Sequence, residues 1–75
     1  MTPIRPTTQA VLDFIRKFKS REHLSPTLRE IQKGCHLSST SVVAWHLLIL
    51  EKRHGAITRK PDSPRSIVLR EEAVA

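Results

Sequence analysis

The side chains able to bind a metal or move a proton are few and scattered. Cys35 is the only thiol, and with His36, His46 and His54 it forms the one set that invites a zinc reading. Zinc sites draw paired Cys or His ligands two to five residues apart at both ends. Here a single adjacent pair is followed by lone imidazoles, and His46 falls on the core side of its segment. These are read as polar or partly buried histidines, with no metal and no cofactor. Asp13 and Asp62 are isolated, no serine stands in frame with a base, and two glycines are too few for a phosphate-cradling loop. The sequence therefore predicts no enzyme. What remains is a run of hydroxyls, Ser38-Ser39-Thr40-Ser41, and thirteen Lys and Arg against seven Asp and Glu, a net +6. That chemistry suits a polyanion, with nucleic acid the first candidate. No block of like charges concentrates it, so a solvated basic surface would give the same total. Placement by the fold has to decide.

Three segments carry helical periodicity. Pro6 suits a first turn, and Val11, Phe14, Ile15 and Phe18 form one apolar stripe of a helix over 6–20. Thr27-x-x-Glu30 is a capping box that opens a short second helix, with Leu28, Ile31 and Cys35 inward and Gly34 closing it in the left-handed conformation. Ser38 or Ser39 then caps a third helix, whose inner side carries Val43, Leu47 and Leu50 beside His46 and which runs to Arg53, before Gly55. The period next changes. Ala56–Lys60 and Arg65–Leu69 are β-prone runs flanking Pro61-Asp62-Ser63-Pro64, which is turn chemistry. Helix, short helix, helix and antiparallel β-hairpin make a mainly α chain, a three-helix winged helix-turn-helix domain over 1–70. Residues 71–75 are read as a linker start or free tail, and the stretch from Arg70 onward as having no partner within the chain.

Seventy-five residues hold one small core, and 39% hydrophobic residues suit a globular domain. The longest apolar run, Val42 to Leu50, is far shorter than the roughly 20 residues of a membrane helix. The first residues lack the apolar run of a signal peptide, and a lone cysteine fits a reducing compartment. A cytoplasmic protein is expected.

Four blocks in order carry a family resemblance. Val11-Leu12-Asp13-Phe14-Ile15-Arg16 resembles the first helix of the LexA repressor family, and Pro26-Thr27-x-x-Glu30-Ile31 its second-helix opening. His46-Leu47-x-x-Leu50 resembles the inner face of its recognition helix, and Gly55-Ala56-Ile57 the entry to its wing. The distances between blocks agree apart from an extra residue near His54, and the resemblance covers Ile4 to Glu72. It implies the operator-reading module of a bacterial SOS-type repressor that binds double-stranded DNA. In that family the module precedes a linker and a self-cleaving Ser/Lys domain, which also supplies most of the dimer contact. An excised, monomeric module is expected here rather than a stand-alone regulator, with a homodimer in a longer parent.

In a helix-turn-helix the second helix of the pair enters the major groove with its early residues on base edges. The outer face of helix three carries Ser41, Ala44, Trp45 and Leu48, with Ser39 and Thr40 at its tip. By resemblance these positions, chiefly Ser39, Ser41, Ala44 and Trp45, read the operator. Better-known members place polar or acidic side chains where Ala44 and Trp45 stand, so their operator cannot be carried over. Trp45 has three readings on sequence: a base step, the domain's own flank, or a protein partner. An apolar stripe of Val42, Trp45 and Ile49 would serve a winged helix used as a protein-interaction module. Phosphate contacts need cations beside the groove, and Arg29, Lys33, Lys52, Arg59, Lys60 and Arg65 are the candidates.

Overall fold

The computed structural model describes residues 4–60, 62, 63 and 65–70. Helix α1 spans Pro6–Glu22, with proline at its start, where the missing N–H would be unpaired in any residue. It runs two residues beyond the expected end. His23 closes it in the left-handed conformation, its N–H donating to Lys19 O at 2.9 Å. Val11, Leu12, Ile15 and Phe18 are buried, and so is Thr8, one turn before Val11. Phe14, expected in the same stripe, is only half-buried.

Helix α2, Leu28–Gly34, opens with the full capping box: Thr27 N–H donates to Glu30 Oε1 at 2.8 Å, and Glu30 N–H to Thr27 Oγ1 at 3.2 Å. Its ending differs from the expectation for Gly34. The left-handed residue is His36, at φ 55°, while Gly34 stays helical. His36 N–H donates to Lys33 O at 3.4 Å and Leu37 N–H to Gln32 O at 2.9 Å, the paired bonds of a Schellman motif. Gly34 is needed for a different reason. A Cβ there would run into the Phe14 ring, with Cζ 2.5 Å away. The absent side chain is what lets α1 and α2 approach.

Helix α3, Thr40–Lys52, is capped by Ser39, whose Oγ accepts from Val42 N–H at 3.3 Å. Val43, Leu47 and Leu50 are buried with Val11, Leu12, Ile15 and Ile31 in one core, which Ile57, Ile67 and Leu69 close from the wing. Gly55, at φ 60°, turns the chain out of α3.

The hairpin is antiparallel, but β1 is Ile57–Thr58 and β2 is Val68–Leu69, two residues each instead of five. The rest of the ladder is intercepted by side chains. Lys60 N–H donates to Ser66 Oγ at 2.9 Å, and that hydroxyl lies 2.8 Å from Lys60 O and 2.9 Å from Ser63 O. Ile67 N–H donates to Ser25 Oγ, and Lys19 Nζ donates to Ile67 O at 2.8 Å. Backbone groups so engaged are not available to a partner strand. Pro61 and Pro64 of the expected turn lie outside the described residues, as do residues 71–75. Arg70, expected to lack a partner, extends the pairing through its N–H to Ala56 O at 2.8 Å. The arrangement is a winged helix-turn-helix.

Candidate nucleic-acid interface

Helix α3 buries one side and presents one stripe. Its exposed residues are Ser41, Trp45, Leu48 and Lys52, at i, i+4, i+7 and i+11 along one face. Trp45 is 55% exposed and Leu48 52%, so neither side chain belongs to the core. Ala44 and Thr40 are half-buried at the edges of the stripe, and so are Val42 and Ile49. The exposed apolar surface therefore centres on Trp45 and Leu48 and not on the Val42, Trp45, Ile49 line. Ser39 Oγ accepts one hydrogen bond at the helix start and keeps its hydroxyl proton and a second lone pair to offer a ligand.

The stripe is fixed from behind. His46 is buried, with Nδ1 2.9 Å from Thr8 Oγ1 of α1, and its ring meets Trp45 edge to face at 5.1 Å between centroids. Burial lowers the His46 pKa below its ordinary 6.5, so the neutral imidazole is favoured. Sequence reasoning placed His46 against the core but missed Thr8. The signal was available, because Thr8, Val11 and Ile15 share one helical face.

The N-terminal end of α3 faces a groove of about 390 Å³ lined by Thr27, Leu28, Arg29, Thr40, Arg59, Asp62, Ser63, Ser66 and Ile67. It brings together three candidates from three elements: Arg29 from α2, Thr40 from α3 and Arg59 from the wing. Lys33 stands on the far side of Arg29, in a second depression with Gln32 and His36. Lys60 is exposed on the wing and Lys52 at the other end of the stripe. Among the described residues, Arg29, Lys33, Lys52, Arg59 and Lys60 make no ion pair. Their charges are available to an anion.

Arg65 is the exception to the expected phosphate set. Its Nη1 and Nη2 donate to the two Glu30 carboxylate oxygens at 2.9 and 3.2 Å, and Nη1 also donates to Ser25 O at 2.9 Å. A bidentate guanidinium held this way is a strut between the wing and the start of α2. The Arg65 hydrogen bonds, followed by that from Thr27 N–H, lower the Glu30 pKa below 4.5. Ser25 and Glu30 are thus positioning residues that sequence reasoning did not assign to the site. Their partners lie 35 to 42 positions away, and no local spacing reports them.

No group of three or more His, Cys, Asp or Glu side chains able to hold a metal occurs among the described residues. Burial raises the Cys35 pKa, which disfavours its thiolate. Among the described residues no helix is long and apolar enough to cross a membrane.

Comparison with known proteins agrees with this geometry. The family model of the LexA DNA binding domain matches residues 1–66. The LexA repressor of Brevibacillus brevis is 41% identical over 69 residues, covering 92% of this chain and 33% of that protein. The LexA repressor of Enterococcus faecalis is 45% identical over 64 residues, covering 85% and 30%, and that of Acidothermus cellulolyticus is 36% identical over 69, covering 92% and 25%. The chain spans a quarter to a third of the length of these relatives. With the winged fold and a family match over residues 1–66, the chain belongs to the LexA DNA-binding domain family.

Proposed function

We propose that this chain is the operator-reading module of a LexA-like transcriptional repressor of the DNA-damage response, acting in the bacterial cytoplasm. Helix α3 enters the major groove with Ser39, Thr40, Ser41, Ala44, Trp45 and Leu48 toward base edges. Arg29, Lys33, Lys52, Arg59 and Lys60 hold the phosphates on either side, while Arg65 braces the wing that carries two of them. The observation that carries the reading is the outward stripe of α3 bracketed by cations that have no ion pair among the described residues. Catalysis has no part in the reading. The chain acts as a monomer, and paired half-sites are met by two copies, as in a homodimer of a longer protein.

Gel-shift titrations at several salt concentrations test the proposal. Binding should weaken steeply with salt, and Arg59→Ala with Lys60→Ala should lower the log–log slope by up to about 2, since each lost phosphate contact removes about 0.9. The variant should weaken binding to all duplexes alike and keep the base preference. The opposing reading, a protein-interaction module, predicts only weak duplex binding with no base preference.

A further inference from the structure

The middle of the exposed α3 stripe is apolar, and the major groove offers few apolar targets. Each base pair presents donors and acceptors there, and the one apolar group is the C5 methyl of thymine. Leu48 has no polar side-chain atom, and Trp45 has a single ring N–H. Set against donors and acceptors, these side chains would strip water without replacing its hydrogen bonds. Set against methyls, they bury apolar surface on both sides.

The setting favours a duplex as the occupant. Trp45 and Leu48 lie between Arg29 and Arg59, which line the groove at the start of α3, and Lys52 at its end. An apolar centre with cations at both ends matches a base-lined groove between two rows of phosphates. Trp45 also has one side against the His46 ring, in a T-shaped contact, and that ring is in turn tied to Thr8. Less side-chain freedom is then lost on docking.

We infer that Trp45 and Leu48 determine specificity by reading thymine C5 methyl groups in the major groove, so that the operator preference rests on methyls more than on hydrogen-bond patterns. This inference rests on the DNA-binding reading above.

Selection from random duplexes gives the preferred half-site, in which each thymine is then replaced by deoxyuridine. That exchange removes the methyl and keeps O4. The Kd should rise about four-fold for each methyl in contact, and about fifteen-fold for two. Trp45→Ala and Leu48→Ala should each lose the sensitivity at one thymine and keep it at the other. Leu48→Ala alone serves if the tryptophan variant fails to fold. If the fully deoxyuridine-substituted site binds within two-fold of the thymine site, DNA reading stands and the methyl inference falls. If selection enriches no sequence, the DNA reading falls and the inference with it.

Discussion

Replacing Gly34 by alanine sets two physical rules against each other. Gly34 is the last residue of α2, and helix propensity alone favours alanine there by about 0.8–1 kcal/mol. The structure predicts the opposite sign. The new Cβ would stand 2.5 Å from Phe14 Cζ and 2.8 Å from Cδ2, well inside van der Waals contact. Phe14 would have to move aside, which disturbs its contact with Phe18, now at 5.9 Å between ring centroids, and its packing on the core. Overpacking of this kind costs about 1–3 kcal/mol. An overlap with ring atoms falls toward the upper part of that range, leaving a net loss of about 1–2 kcal/mol after the propensity gain. In a domain this small, each kcal/mol moves Tm by about 4–8 °C. Thermal and urea melts of four proteins decide the matter: the parent, Gly34→Ala, Phe14→Ala and the double variant. Gly34→Ala should lower Tm in the parent and raise it in the Phe14→Ala background, where the ring is gone. A higher Tm in both backgrounds would refute the steric argument and return Gly34 to an ordinary helix position.

Three further outcomes follow from groups placed above. His36 pays for a left-handed φ that glycine adopts without strain, so His36→Gly should stabilise the domain by about 1 kcal/mol in urea melts. Glu30 has a lowered pKa, so its contribution is present above 4.5 and lost as pH falls through the folded value; Glu30→Gln should reduce stability at pH 7 and flatten the acid limb of a Tm-against-pH curve. Thr8→Val leaves the buried His46 Nδ1 without its partner and should cost about 1–3 kcal/mol, read as a lower Tm at neutral pH.

Short-range signals were legible in the sequence. The Thr27–Glu30 box, a serine cap on α3 and the inner stripe of that helix each depend on residues three or four positions apart; the box and the stripe occur as read, and of the two serines read as the cap the structure uses Ser39. The wing was legible in kind but not in extent. Its strands shorten because Ser66 occupies Lys60, while Ser25 and Lys19 occupy Ile67, and the last two contacts cross more than 40 positions. Gly34 reads in sequence as a left-handed helix end but serves a close approach, since glycine marks both and only the α1 partner tells them apart. The cations of the site could be named by type, yet Arg65 is spent on Glu30, 35 positions earlier. Pairing across the fold, not residue type, separates a strut from a free charge.

The division of labour within α3 bears on how such a domain can change its target. Ser41, Trp45, Leu48 and Lys52 have no side-chain hydrogen bond or ion pair among the described residues, while the helix is held by Ser39, His46 and its apolar inner side. Mutations at Ser41, Leu48 and Lys52 therefore meet little folding penalty and can accumulate as neutral variation until a new binding target makes one of them useful. A laboratory library restricted to Ser41, Leu48 and Lys52 would search binding preference with few destabilised members, whereas one that included His46 would carry many members that lose its buried contacts and with them part of the domain's stability.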